Sequence, residues 1–531
     1  MNRKTGIRLA IFVVIVVGLL SVAAYEVVKI DPYMHYHKPL TESYFYVLNN
    51  ERGQNDGITR NMDYDAIITG TSMTQNFKTT ELDELFGVKS IKIPYSGGSY
   101  KEINDAEEKA LTYNPDIKMI VRSLDMSMLL MDKDFMRDDL GEFPTYLYDD
   151  NIFNDVNYIF NRDILLGRAY QMMKSNDRDN FTPGITSFDD YSSWMDRYTF
   201  GRNAVCPNGV NPVGDVTQAH LTDKEKEEVL KSVKQNITSL ADEYKNVQFY
   251  YFIPPYSVVW YRDNLSKGEF YKYIEAEKIM MEEILKHDNI RLFAFGNMTT
   301  ITTDLNNYKD VLHYASWVNT LMLNYMKTDR NILTEENYEK YIQDEIDIYS
   351  TFDFDTLNKQ NDYENDYYAA ALLNNKITGV EPLDLMTMVD SETLESADKV
   401  SDQYYGQPGV ECHGSLDREV KDSKSVAEYV YDVQYIGAKI TVKDIGKYNY
   451  LVFYGKLENK NGQPGVYIYD DKGKKISELS ESYHDIDNNW KQYIIDISKI
   501  KGDVTIIFNG GYIDNSGDPD SAYVFSGMKL Y

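Results

Sequence analysis

The sequence predicts an α/β protein with two additions: an antiparallel β-sandwich after the parallel sheet and one apolar helix before it. Three observations carry that expectation. Between about residues 64 and 300, short apolar runs alternate with helical spacings, the pattern of parallel strands joined by crossover helices. Beyond Leu383 the chain turns to short alternating strands separated by turn residues, which suits an antiparallel sandwich. Near the start, Leu9 to Tyr25 is an unbroken run without charge.

Composition narrows the function classes. The chain has 531 residues, enough for two or three domains, and a formal net charge of -29, which argues against nucleic-acid binding through a basic face. Only Cys206 and Cys412 are present and they lie far apart, which excludes a disulfide scaffold, a CxxC redox motif and a cysteine-based zinc site. Tyrosines number 46 against 4 tryptophans, a bias that suits sugar contact and interfaces as well as core.

In chain order, MNRKTGIR is basic and precedes the Leu9–Tyr25 run. Seventeen helical residues cover about 25 Å against a hydrocarbon core of about 30 Å, a slightly short span that Arg8 can complete by snorkelling on one side and Val27, Val28 and Ile30 extend on the other. Its basic side stays inside, which puts the rest of the chain outside the cell. An uncleaved anchor is favoured over a removed signal peptide, although Ser21-Val22-Ala23 resembles a cleavage site. His35 and His37 read as juxtamembrane surface histidines, and Arg52 to Gly57 reads as turn-like, either lining the site or a plain loop.

Tyr64 to Phe77, YDAIITGTSMTQNF, is the stretch around which the α/β region is organised. Ala66-Ile67-Ile68 reads as a buried strand that Gly70-Thr71 ends, with Ser72 on the turn and a short helix after it, capped by Thr80. A hydroxyl placed so stands at the carboxyl end of a sheet, where turn amides can stabilise an oxyanion. Ser90–Pro94 is a second strand and leads into Gly97-Gly98-Ser99; residues 100–112 are helical, and Ile117–Arg122 is a third strand. Residues 123–245 form an aromatic, acidic insertion. Gln248–Pro254, a helix over 270–286 and a strand at Ile290–Phe295 complete the sheet. Asp310-Val311-Leu312-His313 follows the last strand, where an Asp can fix the tautomer of a His that reaches the serine at the first strand's end.

A helix and linker are expected after Asp329. Strands are then expected at Ala438–Val442, Tyr448–Lys456, Gly465–Tyr469, Gln492–Ile495, Val504–Phe508 and Ala522–Leu530. The expected organisation is therefore residues 1–30 as start and anchor, 31–330 as the α/β domain with its insertion, 331–384 as helix and linker, and 385–531 as the sandwich. Tyr404, Tyr405, Tyr483 and Trp490 are candidates for stacking on sugar rings, while His220, His287 and His484 read as surface histidines and His413 lacks a catalytic partner. Asp514–Asp520, DNSGDPD, offers oxygens for calcium without an EF-hand register, so no metal is assigned.

Gly70-Thr71-Ser72, the glycine loop after the next strand and the late DxxH together resemble the SGNH (GDSL-like) hydrolases. With the anchor in front, the arrangement is also similar to the extracellular D-alanine-transfer proteins of the teichoic-acid pathway and to acetyltransferase-like proteins of exopolysaccharide export. The resemblance covers roughly residues 40 to 330. It implies a flavodoxin-like parallel sheet with helices on both faces, Ser72 as nucleophile, His313 as general base and Asp310 as its orienting acid. It implies an oxyanion hole from the Ser72 amide and from Gly97, Gly98 or Ser99. It implies a membrane-anchored extracellular serine esterase or O-acyltransferase that needs no cofactor. The implied partners are a cell-wall or exported glycan, a membrane-bound O-acyltransferase and the bilayer. Two departures stand out. Thr71 replaces the family's Asp, and the GxND block is missing: the chain reads Ser123-Leu124-Asp125-Met126, leaving Asn104, the Asp125 backbone or Arg122 as substitutes. Loss of one such donor typically costs about 10²–10³ in rate. A catalytically weak glycan-binding or assembly role is the alternative expectation.

Overall fold

The computed structural model describes residues 3–137, 139, 143–175, 181–195, 198–360, 380, 382–388, 412–421, 424–431, 437–457, 465–478, 483–485, 490–509 and 522–531. The chain forms two compact units, Met1–Gln360 and Asn361–Tyr531.

The first unit begins with α1 (Arg3–Ile30), whose residues from Lys4 onward are long and apolar enough to cross a membrane. Its last turn is different: Val27 and Ile30 are fully buried in protein. Asp31, with φ 49°, ends the helix, and its carboxylate accepts the amide N–H groups of His35, Tyr36 and His37. His35 is therefore no surface histidine. It is buried with Nε2 3.4 Å from Asp155, because the lead-in folds back beneath the helix end. The expected loop at Arg52 to Gly57 is likewise corrected. It lies inside α2 (Glu51–Asn61), which Asn50 caps by accepting the Gly53 N–H.

The central sheet contains β1 (Ala66–Gly70), β2 (Ser90–Pro94), β3 (Met119–Ser123), β4 (Gln248–Ile253), β5 (Ile290–Ala294) and β6 (Ile332–Leu333). Their order is β2-β1-β3-β4-β5-β6, with the first five parallel and β6 antiparallel at the edge. Every residue of β1, β2 and β3 is buried. Because successive side chains point to opposite faces, both faces must be covered, as a parallel sheet requires. The cover includes α2 packed on α4 (Tyr100–Tyr113), α3 (Thr79–Phe86) on α6 (Ser316–Lys327), and α5 (Phe270–Ile284) on α7 (Tyr338–Thr351). Thr80 is not the cap of α3. It sits within the helix and donates its hydroxyl to Asp189, while Lys78 holds the cap position. Two basic side chains, Lys92 and Arg122, are buried on this sheet. Lys92 donates to the carbonyls of Gln75, Phe77 and Asp189, and burial pulls its pKa down to about 7. Arg122 pairs with Glu107 of α4 at 2.7 Å. His287 is also largely buried, its Nδ1 beside the Glu283 carbonyl.

The second unit contains two antiparallel sheets with one shared core. The first holds Cys412–Lys421, Lys424–Tyr431, Ala522–Leu530, Tyr450–Leu457, Trp490–Asp496 and Tyr483–Asp485, with Leu383–Asp384 pairing beside Ala522–Leu530. The second holds Gly437–Val442, Val504–Asn509, Gly465–Asp470 and Lys475–Glu478. Ile440, Val442, Val466 and Ile506 of the smaller sheet meet Leu451, Phe453, Ile495 and Leu530 of the larger in that core. The two-residue spacing of these side chains is what alternation predicts. Three of the strands that alternation did not predict, Cys412–Lys421, Tyr483–Asp485 and Lys475–Glu478, lie at sheet edges, where polar residues replace the apolar repeat.

Candidate active site

The turn after β1 is built to expose one hydroxyl. Gly70 has φ 137°, and a Cβ there would stand 2.3 Å from Ser123 Oγ, so both the backbone and the neighbour demand glycine. Thr71 then caps a single 3₁₀ turn, Ser72–Thr74. Its hydroxyl donates to Asp125 Oδ2 at 2.9 Å, and the same carboxylate accepts the hydroxyls of Ser123 and Tyr256 at 2.8 Å each. One buried carboxylate thus ties the ends of β1 and β3 to Tyr256, which follows β4. Burial raises the Asp125 pKa, only partly opposed by the hydroxyls of Tyr256, Ser123 and Thr71. Asp125 therefore reaches Ser72 through Thr71 as a positioning group.

Ser72 Oγ lies 2.7 Å from His313 Nε2. On its other side, His313 Nδ1 lies 2.8 and 2.9 Å from the two oxygens of Asp310. Asp310 Oδ1 also accepts the amide N–H groups of Leu312 and His313 at 2.9 Å, and the Lys309 N–H donates to the His313 carbonyl at 3.0 Å. The four-residue loop is thereby locked before α6 begins. Burial pushes the Asp310 pKa up, but the His313 ring and the two amides outweigh it and leave the carboxyl below its ordinary value. With Asp310 accepting from Nδ1–H, Nε2 faces Ser72 as an acceptor for the hydroxyl proton.

The pair opens on a cleft of about 990 Å³, lined also by Arg52, Ser96, Arg168, Trp194, Tyr198 and Lys309. The Trp194 ring meets the imidazole edge-on, with centroids 5.8 Å apart. Lys309 places its ammonium 3.9 Å from the Trp194 ring and 3.8 Å from Tyr198. Burial lowers the Lys309 pKa against the opposing pull of Asp310.

The expected oxyanion residues are distributed differently. Ser96 lines the cleft, with its N–H donating to Glu51 at 2.6 Å, whereas Gly97, Gly98, Ser99 and Asn104 do not line it. Gly98 turns its N–H to the Tyr95 carbonyl, and Ser99 caps α4 in a capping box with Glu102. Asn104 is buried on α4, and Arg122 is committed to Glu107 and the Asn236 carbonyl. Sequence patterning singled out neither Trp194 nor Lys309, whereas the Arg52 to Gly57 segment was open to lining the site, and Arg52 does line it. Arg52 sits in the helix read as a loop, and Trp194 sits in the insertion that no periodicity orders. Lys309 directly precedes the DxxH, a position from which patterning could have found it. Of the four aromatic candidates, Tyr404 and Tyr405 lie outside the described residues, as does the acidic loop Asp514–Asp520. Tyr483 and Trp490 each open a strand, paired with Tyr493 and Lys456 respectively. Among the described residues no group of three or more His, Cys, Asp or Glu is placed to hold a metal ion.

No family model matches the chain, and no curated protein does. Among solved structures, a candidate platelet activating factor from Streptococcus pneumonia is 11% identical, covering 52% of this chain and 90% of its own, with a TM-score of 0.28. A two-domain esterase active on acetylated mannans is 10% identical over 88% of this chain and 91% of its own, with a TM-score of 0.21. The family 11 carbohydrate-binding module of a Clostridium thermocellum cellulase is 15% identical over 23% of this chain and 83% of its own, with a TM-score of 0.17. Likenesses this distant establish neither the fold nor the activity of this chain.

Proposed function

We propose that the protein is a membrane-anchored serine esterase or O-acyltransferase of SGNH type, acting outside the cell on acyl groups of a cell-wall or exported polysaccharide. The observation that carries this reading is the continuous Ser72–His313–Asp310 relay opening on a polar cleft. Ser72 Oγ attacks the acyl carbonyl while His313 Nε2 takes its proton, and Asp310 stabilises the resulting imidazolium. Collapse of the tetrahedral intermediate returns that proton to the departing alcohol and leaves an acyl-serine. His313 then draws a proton from water, giving hydrolysis, or from a sugar hydroxyl, giving transfer. The Ser72 amide is the proposed oxyanion donor. The second unit is assigned the holding of glycan, tested by titrating the full chain against cell-wall glycans with and without Trp490→Ala.

The test of the chemistry is labelling by a fluorophosphonate probe. Wild type should label covalently and Ser72→Ala should not. Equal labelling of both, or none of a folded wild type, removes the nucleophile assignment.

A further inference from the structure

The exposed apolar side chains of the first unit are unevenly placed. Outside α1, Ile152, Phe153, Val156, Phe160, Leu166 and Tyr170 all stand in solvent within one stretch of the insertion, Phe153 at 83% and Ile152 at 72% exposure. We propose that this rim lies in the interface of the same phospholipid bilayer that α1 crosses. The inference rests on α1 being a membrane anchor.

Two observations point to lipid as the occupant. The first is position. Tyr158, on the buried side of the short helix Val156–Ile159, donates its hydroxyl to Asp31 at 2.8 Å and accepts the Tyr33 N–H at 3.0 Å. Tyr36 in turn donates its hydroxyl to Asp155 at 3.0 Å. The rim is thus clamped to the residues that directly follow the last turn of α1, where an anchored helix leaves the membrane. The second is length. The uncharged run Leu9–Tyr25 covers about 25 Å of a core of about 30 Å. Val27 and Ile30 cannot make up the difference, because both are fully buried in protein. A slightly short span is accommodated by bilayer thinning and by flanking residues that reach the interface. The flank here carries phenylalanine, isoleucine, leucine and tyrosine, side chains that settle at the headgroup boundary.

The rim has a consequence for the cleft. Ile164 and Arg168 belong to the same stretch and line the cleft of Ser72 and His313. One side of this segment meets lipid while the other walls the candidate site, so the site is held at the membrane surface and takes substrate presented there.

The test uses the full chain in phosphatidylcholine–phosphatidylglycerol nanodiscs, with Cys412→Ser and the buried Cys206 left in place. A nitroxide is attached through Phe153→Cys, through Val14→Cys within α1, or through Lys224→Cys on an exposed helix, and its collisions with oxygen and with a water-soluble nickel complex are compared. The rim predicts an oxygen-to-nickel ratio at position 153 several-fold above that at 224 and approaching that at 14. A ratio at 153 equal to that at 224, with 14 still in lipid, overturns the rim and leaves the anchor standing. A low ratio at 14 overturns the anchor itself. Shielding of 153 from both reagents marks a protein contact, and that also overturns the proposal.

Discussion

Asp310 and the Glu277–Glu345 pair are carboxylates of one unit, drawn out of water to different degrees and shifted in opposite directions. At Asp310 the burial penalty is exceeded by an imidazole and two amides, so the charged form is favoured. At Glu277, burial and the neighbouring charge of Glu345 act in the same direction, and its pKa rises well above the ordinary glutamate range. Glu345 is also raised by burial, and the hydroxyls of Tyr261 and Tyr341, each 2.9 Å from Oε1, only moderate the rise. The surroundings leave no slack, since a Cβ on Gly296 would stand 2.1 Å from Glu345 Oε1. The difference teaches that partners decide ionisation here as much as burial does. A carboxylate facing an imidazole at the open cleft is kept charged and available, whereas two near each other in the core are both pushed toward the neutral form.

The sharpest way to break this contrast is at the relay. Ser72→Ala and His313→Ala should each lower turnover of p-nitrophenyl acetate by roughly 10³-fold or more, and Asp310→Asn by roughly 10³–10⁴-fold through the wrong tautomer. Melting temperatures of Ser72→Ala and His313→Ala should stay near wild type, separating lost chemistry from lost fold. Next in size is the buried pair of Arg122 and Glu107. Arg122→Met should cost about 3–5 kcal/mol in urea unfolding, because it strands Glu107 without a partner.

Glu277→Gln sharpens the comparison through pH. A folded-state pKa above the unfolded one gives stability that is present below the ordinary glutamate range, near 4.3, and is lost as pH rises through the folded value. The substitution should therefore stabilise the protein more at pH 8 than at pH 5. Asp310→Asn should show the reverse trend, since a lowered pKa contributes stability above about 3.9 that fades as pH falls. Parallel stability–pH curves for these two variants would end the contrast. The smallest effect is expected at Ser99, which the structure places at a helix cap. Ser99→Ala should cost about 1 kcal/mol and leave turnover unchanged.

Periodicity and small-residue turns were enough to read the strands at Ala66–Gly70, Ser90–Pro94, Gln248–Ile253 and Ile290–Ala294. The reason is physical: an apolar run wrapped on both faces has no other stable place, and only glycine tolerates the backbone that position 70 adopts at the strand's end. The spacing of Asp310 and His313, set after the last parallel strand, also depends only on local chain geometry. Other features were not legible because they are set by contacts distant in sequence. Asn50 makes a helix of Arg52 to Gly57 against residues of the lead-in, Asp189 takes the hydroxyl of Thr80, and Asp155 buries His35. Trp194 and Lys309 meet at the cleft only after the insertion folds across the sheet. The sequence by itself determined the parallel strands of the central sheet and which three residues could form a relay. The tertiary structure alone decided that Asp125 would brace the turn that carries Ser72, because hydroxyls from three separate segments had to converge on one buried carboxylate.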